Sequence, residues 1–469
     1  MELFLDTDDQ RGLSTQLYDQ IREAIADGRL PPGGRLQPSR AVAEELGIAR
    51  STVTDAYARL TAEGYVEGRH GGGSIVLGHA APRTEVSEAP TALAPTAQAA
   101  AVRRYGVGLE SHPRYDLTAG RVDTRLFPLA DWRRCTNRAL TRFARDLGYY
   151  GDPAGSIELR RTLTHWLAQS RGIATTADQI VVTHGAGHAT DVMARVLLHP
   201  GDVAAVEEPG YPPITTLLRS LGIEVVGVPV DEHGLVVDAL PPAARLVHVT
   251  PSHQYPLGVV LSRERRLALL RWAGRRGAAV VEDDYDSEFR YLNRPLEPLH
   301  RLDRDGVVIY VGTFSKTLSP ALRIGFAVVP PGLVPATTAI RQAVDFGVPP
   351  VTAQTLHTFI EEGHLDRHLR RARRVYAERY RTVRAAVTSL PDSFTPLPSQ
   401  AGLHMTLLTP DVPDDDELNV RSTRHGLQLS SLRRTYQHSP PQAGIVLGFG
   451  AIPTPDVPEA IKLLASLYS

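Results

Sequence analysis

Lysine is almost missing from this chain. Lysine and arginine together number 51, yet only Lys316 and Lys462 are lysines. Cysteine is scarcer still. Cys135 stands alone, which excludes an intrachain disulfide and suits a reducing compartment. No long apolar run occurs, and the opening MELFLDTDDQ is acidic, so neither a secretory signal nor a membrane span is predicted. The expectation is a cytoplasmic protein without a membrane partner. An excess of positive charge is also absent. Net charge is −1, and residues 1–78 hold 8 Arg against 12 Asp plus Glu. Charge alone gives no sign of a nucleic-acid partner, so any such reading rests on motif.

What is present is a chain of 469 residues, 42% hydrophobic, long enough for more than one domain. Residues 1–78 read as one compact unit. Ser14-Thr15-Gln16 is placed to cap a helix whose Leu17, Ile21 and Ile25 recur at helical spacing. Ser39 is placed to cap a second helix, Gly47 ends it, and a third starts near Ser51-Thr52. Two short strands, around Tyr65-Val66 and Ile75-Val76-Leu77, flank the glycines at 71–73. That order predicts a winged helix-turn-helix. Arg40, Arg50, Ser51, Thr52 and Thr54 fall at or beside the start of the third helix. Helix N-termini and short hydroxyls suit phosphates, and an arginine there can reach a guanine edge. Arg69 would bring the wing tip to the minor groove. The alternative is a small helical domain that binds protein.

Residues 79–112 are rich in Ala, Pro and Thr without a periodic apolar face, the composition of a flexible linker. Residues 113–469 alternate short β-branched runs with helical patterns. Ile180-Val181-Val182, Val203 to Val206, Val225-Val226, Leu246 to Val249, Ala279 to Val281 and Val307 to Val311 read as strands. A mostly parallel α/β sheet with covered faces is predicted.

Four patterns there carry chemistry. In GTFSKTL, Lys316 follows a strand, between the hydroxyls of Thr313 and Ser315, and Arg323 comes seven residues later. A lysine can form an imine with an aldehyde cofactor, whereas arginine does not under ordinary conditions. The hydroxyls and the arginine fork suit a phosphate. In VEDDYD a carboxylate at a buried strand's end could hold a protonated pyridine nitrogen, and a tyrosine could bond the ring oxygen. A solvated acidic loop or a metal site is the other reading of such a run. Gly185, Ala186 and Gly187 lie between a strand and a helix, where backbone N–H groups can cradle a phosphate. Tyr211, in EEPGY, could stack on a ring.

These residues resemble a known family across nearly the whole chain. LQPSRAVAEELGIARSTVTDAYARLTAEGYV is similar to the DNA-binding domain of GntR regulators. GYYGDPAG, EEPGY, TPSHQYPLG, VEDDYDSEFRY and GTFSKTLSPALRIGF resemble fold-type I aminotransferases, specifically the MocR/GabR subfamily of GntR regulators. The resemblance implies pyridoxal 5'-phosphate as cofactor and no metal. It makes Lys316 the Schiff-base lysine, Asp283 the pyridine-nitrogen partner, Tyr285 the ring-oxygen donor, Arg323 a phosphate ligand and Tyr211 the stacking ring. It implies a homodimer on a double-stranded DNA operator, answering an amine, an amino acid or pyridoxal phosphate itself. A working aminotransferase with a residual DNA arm is the enzyme alternative; a regulator with an empty cofactor site is a third.

The pattern is not copied throughout. Tyr255-Pro256 stands where aminotransferases usually carry Asn-Pro. His188 stands where glutamine is common. The GABA-binding member of the subfamily has an arginine two residues after the stacking tyrosine; here that residue is Pro213. Arg434, or Arg433 beside it, is the candidate for that member's second carboxylate-binding arginine. These departures predict an effector site not specific for GABA and little or no complete transamination.

Overall fold

The computed structural model describes residues 3–6, 11–69, 73–77, 94–102, 113–144, 149–291, 297–399, 401–410, 415–438 and 441–468. The chain forms two compact units, Met1–Ala94 and Pro95–Ser469.

The first unit holds α1 (Leu13–Ala26), α2 (Ser39–Leu46) and α3 (Arg50–Ala62), then the antiparallel pair β1 (Val66–Arg69) and β2 (Gly73–Val76). Leu17, Ile21, Val42, Val53, Leu60 and Val76 close its core. The predicted caps differ. Gly12, not Ser14 to Gln16, caps α1: its carbonyl accepts from the N–H groups of Thr15 and Gln16. The Gln16 side chain instead donates to the carbonyls of Asp6 and Arg11. Pro38 is the N-cap of α2, which makes Ser39 its first helical residue and frees the hydroxyl to accept from Arg50 Nε at 3.4 Å.

In the second unit β3 (Tyr115–Asp116) pairs with a late segment, β14 (Leu427–Gln428). The large sheet comprises β4 (Ile180–Thr183), β5 (Val203–Glu208), β6 (Glu224–Asp231), β7 (Gly234–Leu235), β8 (Ala244–Val249), β9 (Ala279–Asp284), β10 (Val308–Thr313) and β11 (Gly325–Val328). Its order is β4-β11-β10-β9-β8-β5-β6-β7. The β10-β9-β8-β5-β6 run is parallel, while β11 and β7 pair antiparallel with their neighbours. The predicted strand runs all lie in this sheet, and their near-continuous Val, Ile and Ala suit strands buried on both faces. A smaller antiparallel sheet has β12 (Thr395–Pro396), β13 (His404–Leu408), β15 (Ser430–Ser431) and β16 (Gly444–Gly448), in the order β12-β13-β16-β15. This is the fold-type I aminotransferase architecture. No helix among the described residues is long and apolar enough to cross a membrane.

Parallel strands all end on one side, and ligands gather outside their carboxyl ends. Glu207, Asp283 and Thr313 sit at the ends of β5, β9 and β10. The chemistry is therefore expected there.

Candidate cofactor and effector site

Strand alternation sorts the acidic run at the end of β9. Glu282 turns to the N–H groups of Leu299 and His300, at 2.7 and 2.8 Å. Asp284 meets Arg171 in a buried ion pair and accepts from the Tyr310 hydroxyl at 2.6 Å. Asp286 pairs with His253. Only Asp283 is left without such an anchor. Its Oδ1 is buried and has no hydrogen-bond partner, and its Oδ2 lies 3.8 Å from His248 Nε2, which is equally unpartnered. Burial, then the nearby Asp284 and Asp286, push the Asp283 carboxyl up to about 7. Burial pushes His248 down to about 4, so its ring is neutral and gives no counter-charge. Asp283 thus presents a buried oxygen fit for a cationic N–H donor.

Lys316 follows β10, and its Nζ donates to the carbonyl of Gly120. Gly120 has φ +85, and a side chain there would press on the Lys316 amine. Burial lowers the lysine's pKa, against the opposing pull of Asp286 and Asp283. A lysine with a depressed pKa is a better nucleophile toward an aldehyde at neutral pH.

The phosphate elements converge beside it. Gly185, at φ +105, is the N-cap of the helix Ala186–Leu197, so Ala186 and Gly187 occupy its first turn. A Cβ on Gly185 would lie 3.7 Å from both Arg323 Nη1 and Thr313 Oγ1. The helix N-terminus, a guanidinium and a hydroxyl therefore face one small space, a fit for a dianion. Thr313 Oγ1 donates to Ser315 Oγ at 3.0 Å. Arg323 itself adopts φ 47, an uncommon conformation for a residue with a side chain.

Tyr211 is the N-cap of the helix Pro212–Ser220, and its ring stands edge-on to Tyr255 with centroids 5.4 Å apart. Its ring is half-exposed, and local burial raises its hydroxyl pKa, with the Asp283 charge acting in the same sense and Arg323 against it. Buried Glu207 fixes the surrounding loops. Its Oε2 accepts from Thr250 N–H at 3.2 Å and from the Thr250 hydroxyl at 2.5 Å, while Gln254 Nε2 donates to the Pro209 carbonyl at 2.8 Å. Tyr285 Oη donates to the His253 carbonyl at 3.0 Å. Tyr255 occupies the place of the usual asparagine and packs against Tyr211 and His404.

Arg433 and Arg434 lie on the turn Arg433–Thr435. Glu208 ties that region to the Tyr211 loop by accepting from the N–H groups of Gln437 and His438, at 3.0 and 2.6 Å. His188 accepts from the His184 N–H at 3.1 Å and lies 3.2 Å from Asp345. Sequence reasoning passed over His253, Asp286, His404, His248 and Gly120. The first carried a signal, since TPSHQYPLG was visible as a motif; Gly120 carried none.

In the N-terminal unit Arg50, Ser51 and Thr54 are exposed along the start of α3, and Thr52 is half-buried beside them. Thr54 Oγ1 donates to the Arg50 carbonyl at 2.9 Å. Arg40 is exposed and lies 3.3 Å from Glu44. The Arg69 side chain and wing-tip residues 70–72 lie outside the described residues, as do most of residues 79–112.

Comparison with known proteins agrees with both units. The model of the bacterial regulatory proteins of the gntR family matches residues 13–76, and that of aminotransferase class I and II matches residues 115–426. The chain is 36% identical to the probable rhizopine catabolism regulatory protein MocR of Rhizobium meliloti, over 99% of this chain and 96% of that one. It is 32% identical to the pyridoxine biosynthesis transcriptional regulator PdxR of Corynebacterium glutamicum, over 96% and 95%. Among solved structures, the kynurenine aminotransferase of Pyrococcus horikoshii covers 76% of this chain and 91% of its own, with TM-score 0.71 and 27% identity.

Proposed function

This chain belongs to the MocR-type GntR transcription regulators, and from that membership we propose that it binds pyridoxal phosphate covalently through Lys316 and couples that site to an operator. The observation that carries the cofactor reading is Asp283, a buried carboxyl whose Oδ1 has no partner. A protonated pyridine nitrogen supplies the missing N–H and the charge together. Lys316 would hold the aldehyde carbon, Tyr285 the ring oxygen and Tyr211 the ring face. Arg323, Thr313, Ser315 and the turn of Gly185, Ala186 and Gly187 would hold the phosphate. When bound, the cofactor supplies an electrophilic carbon that an amine can engage in place of Lys316.

The reading extends to the partners. Arg50, Ser51, Thr52 and Thr54, with Arg40 and Arg69, would contact duplex DNA in the cytoplasm. The effector is an amine or amino acid held with help from Arg434, or pyridoxal phosphate alone. A homodimer would meet two half-sites. The exposed Tyr150 and Phe346, stacked at 4.6 Å, offer apolar surface for a second copy. A ligand shifts such a regulator only by its different affinity for two states of the protein.

The deciding experiment adds pyridoxal phosphate to the purified full chain, follows the visible band, reduces with borohydride and maps the adduct. The adduct is expected on Lys316 and absent from Lys316→Ala. Labelling at Lys462, or no adduct, would refute the assignment.

A further inference from the structure

His253 has no part in the roles above, yet its buried ring touches both sheets' connections. Nδ1 lies 3.0 and 3.2 Å from the Asp286 oxygens and 3.1 Å from Tyr285 Oη. Nε2 lies 3.1 Å from Ser399 Oγ, which donates to the Ala401 carbonyl at 3.1 Å. Tyr285 and Asp286 follow β9 of the large sheet, whereas Ser399 and Gly402 come from the connection between β12 and β13 of the small one. The fit leaves no slack: a Cβ on Gly402 would overlap both the His253 ring and the Asp286 carboxylate.

The acceptors order the protons. Carbonyl oxygens only accept, so Tyr285 and Ser399 give their O–H groups to the carbonyls of His253 and Ala401. The ring nitrogens then face lone pairs, Nε2 at Ser399 Oγ and Nδ1 at Asp286 and Tyr285 Oη. The Tyr285 hydroxyl is thus held through its oxygen by the ring, while its proton can turn from a carbonyl to another acceptor. Asp286, His253 and His404 could also be grouped as metal ligands. Asp286 is already engaged with His253, and His404 Nε2 lies 3.1 Å from the Pro256 carbonyl, which leaves the trio internally satisfied.

We propose that His253 is a positioning residue through which the small sheet sets the direction of the Tyr285 hydroxyl at the cofactor's ring oxygen. The proposal rests on the cofactor reading of the Lys316 pocket. A displacement of the β12–β13 connection moves Ser399 and Gly402 against a ring packed on every side. Close-packed interiors transmit such a shift rather than absorb it. The Nδ1 contact changes, and the phenol reorients. Coupling of this kind is reciprocal, so the state of the cofactor biases the small sheet equally.

The test uses the full chain loaded with pyridoxal phosphate and reads the pH midpoint of its visible band. His253→Leu should displace the midpoint from wild type by about one pH unit, in the direction set by Tyr285→Phe. Ser399→Ala, a milder change that spares the fold, should move it the same way by less. Ser399→Ala should add nothing in the His253→Leu background, because its route is gone. An unmoved midpoint in both single variants, with Tyr285→Phe still effective, would overturn the proposal alone. So would an undiminished Ser399→Ala effect in the double variant. Absence of the band from wild type would overturn the cofactor reading, and this proposal with it.

Discussion

The Gly210 N–H donates to the Thr435 carbonyl at 3.1 Å, which ties the turn before Tyr211 to the turn that carries Arg434. In the proposed effector reading, position 213 and the exposed Arg434 lie on these two joined turns. Pro213 offers no charge. A charge-assisted bond contributes about 1.5–3 kcal/mol, so Pro213→Arg should tighten GABA binding to the holo-protein by about tenfold or more. Arg434→Ala should weaken any amino acid effector. Spectral titration with GABA checks both, and tight binding by wild type would show the reading of Pro213 to be wrong.

The Asp283 carboxyl gives the cofactor-free protein a stabilising contribution that falls as pH rises. Burial raises the Asp283 carboxyl to about 7 in the folded chain, while the unfolded chain titrates near the ordinary carboxylate value. Between those values the native state holds a proton that the unfolded state has lost. The stabilising contribution is full below the unfolded value and is lost as pH rises through the folded one. Glu207 and Glu282, raised to about 7 by burial, act in the same sense. Buried His248 and half-buried His188, both lowered to about 4, act in the opposite sense. The Asp283 share is therefore read as the difference between the melting curves of wild type and Asp283→Asn from about pH 5 to about pH 8, wild type losing more stability over that range. Parallel curves for the two proteins would remove Asp283 from this account.

Arg50→Ala should weaken operator binding by about 1–3 kcal/mol if Arg50 reads a base. The side chain is exposed, with Nε 3.4 Å from Ser39 Oγ, so the fold should survive its loss. Gel-shift titrations against operator and random duplexes separate the cases. An equal loss on both would assign Arg50 to the backbone.

Transamination should be slow. Holo-protein given amino donors and a keto acid should turn over well below about 1 per second, the lower end of ordinary enzyme rates. Faster product formation would favour the aminotransferase alternative.

Arg171→Ala should destabilise the C-terminal unit by about 3–5 kcal/mol. The change strands Asp284 in the interior, with only the Tyr310 hydroxyl still paired to it. Urea denaturation followed by far-UV dichroism measures the loss. A change of less than about 1 kcal/mol, the worth of a surface pair, would mean that water reaches the pair.

The sequence made the large sheet legible because its strands are buried on both faces and so read as unbroken β-branched runs. β11 escaped notice because GFAV follows directly on the loop of Lys316 and Arg323 and looks like part of it. In the small sheet β12 and β15 escaped too, since they are two residues each and no periodicity fits in two residues. Helix caps were misjudged at Ser14 and Ser39. In both places a backbone carbonyl, of Gly12 or Pro38, accepts the N–H bonds at the start of the helix, and the serines stand inside it. The residues proposed for the cofactor were readable as motifs because each sits within a few residues of a strand end. His253 was not assigned, because its significance lies in neighbours 33 and 146 positions away.

Arg323 holds a left-handed backbone, φ 47, that a glycine would adopt with less strain. The penalty for a side chain there is of the order of 1 kcal/mol. Glycine at 323 would thus give a sturdier chain lacking the guanidinium beside Gly185. A laboratory screen that rewards heat resistance alone would drift toward that replacement and count it as progress. Durability and recognition compete at this one position, and a thermostable variant altered there needs its ligand response checked before its melting point is believed.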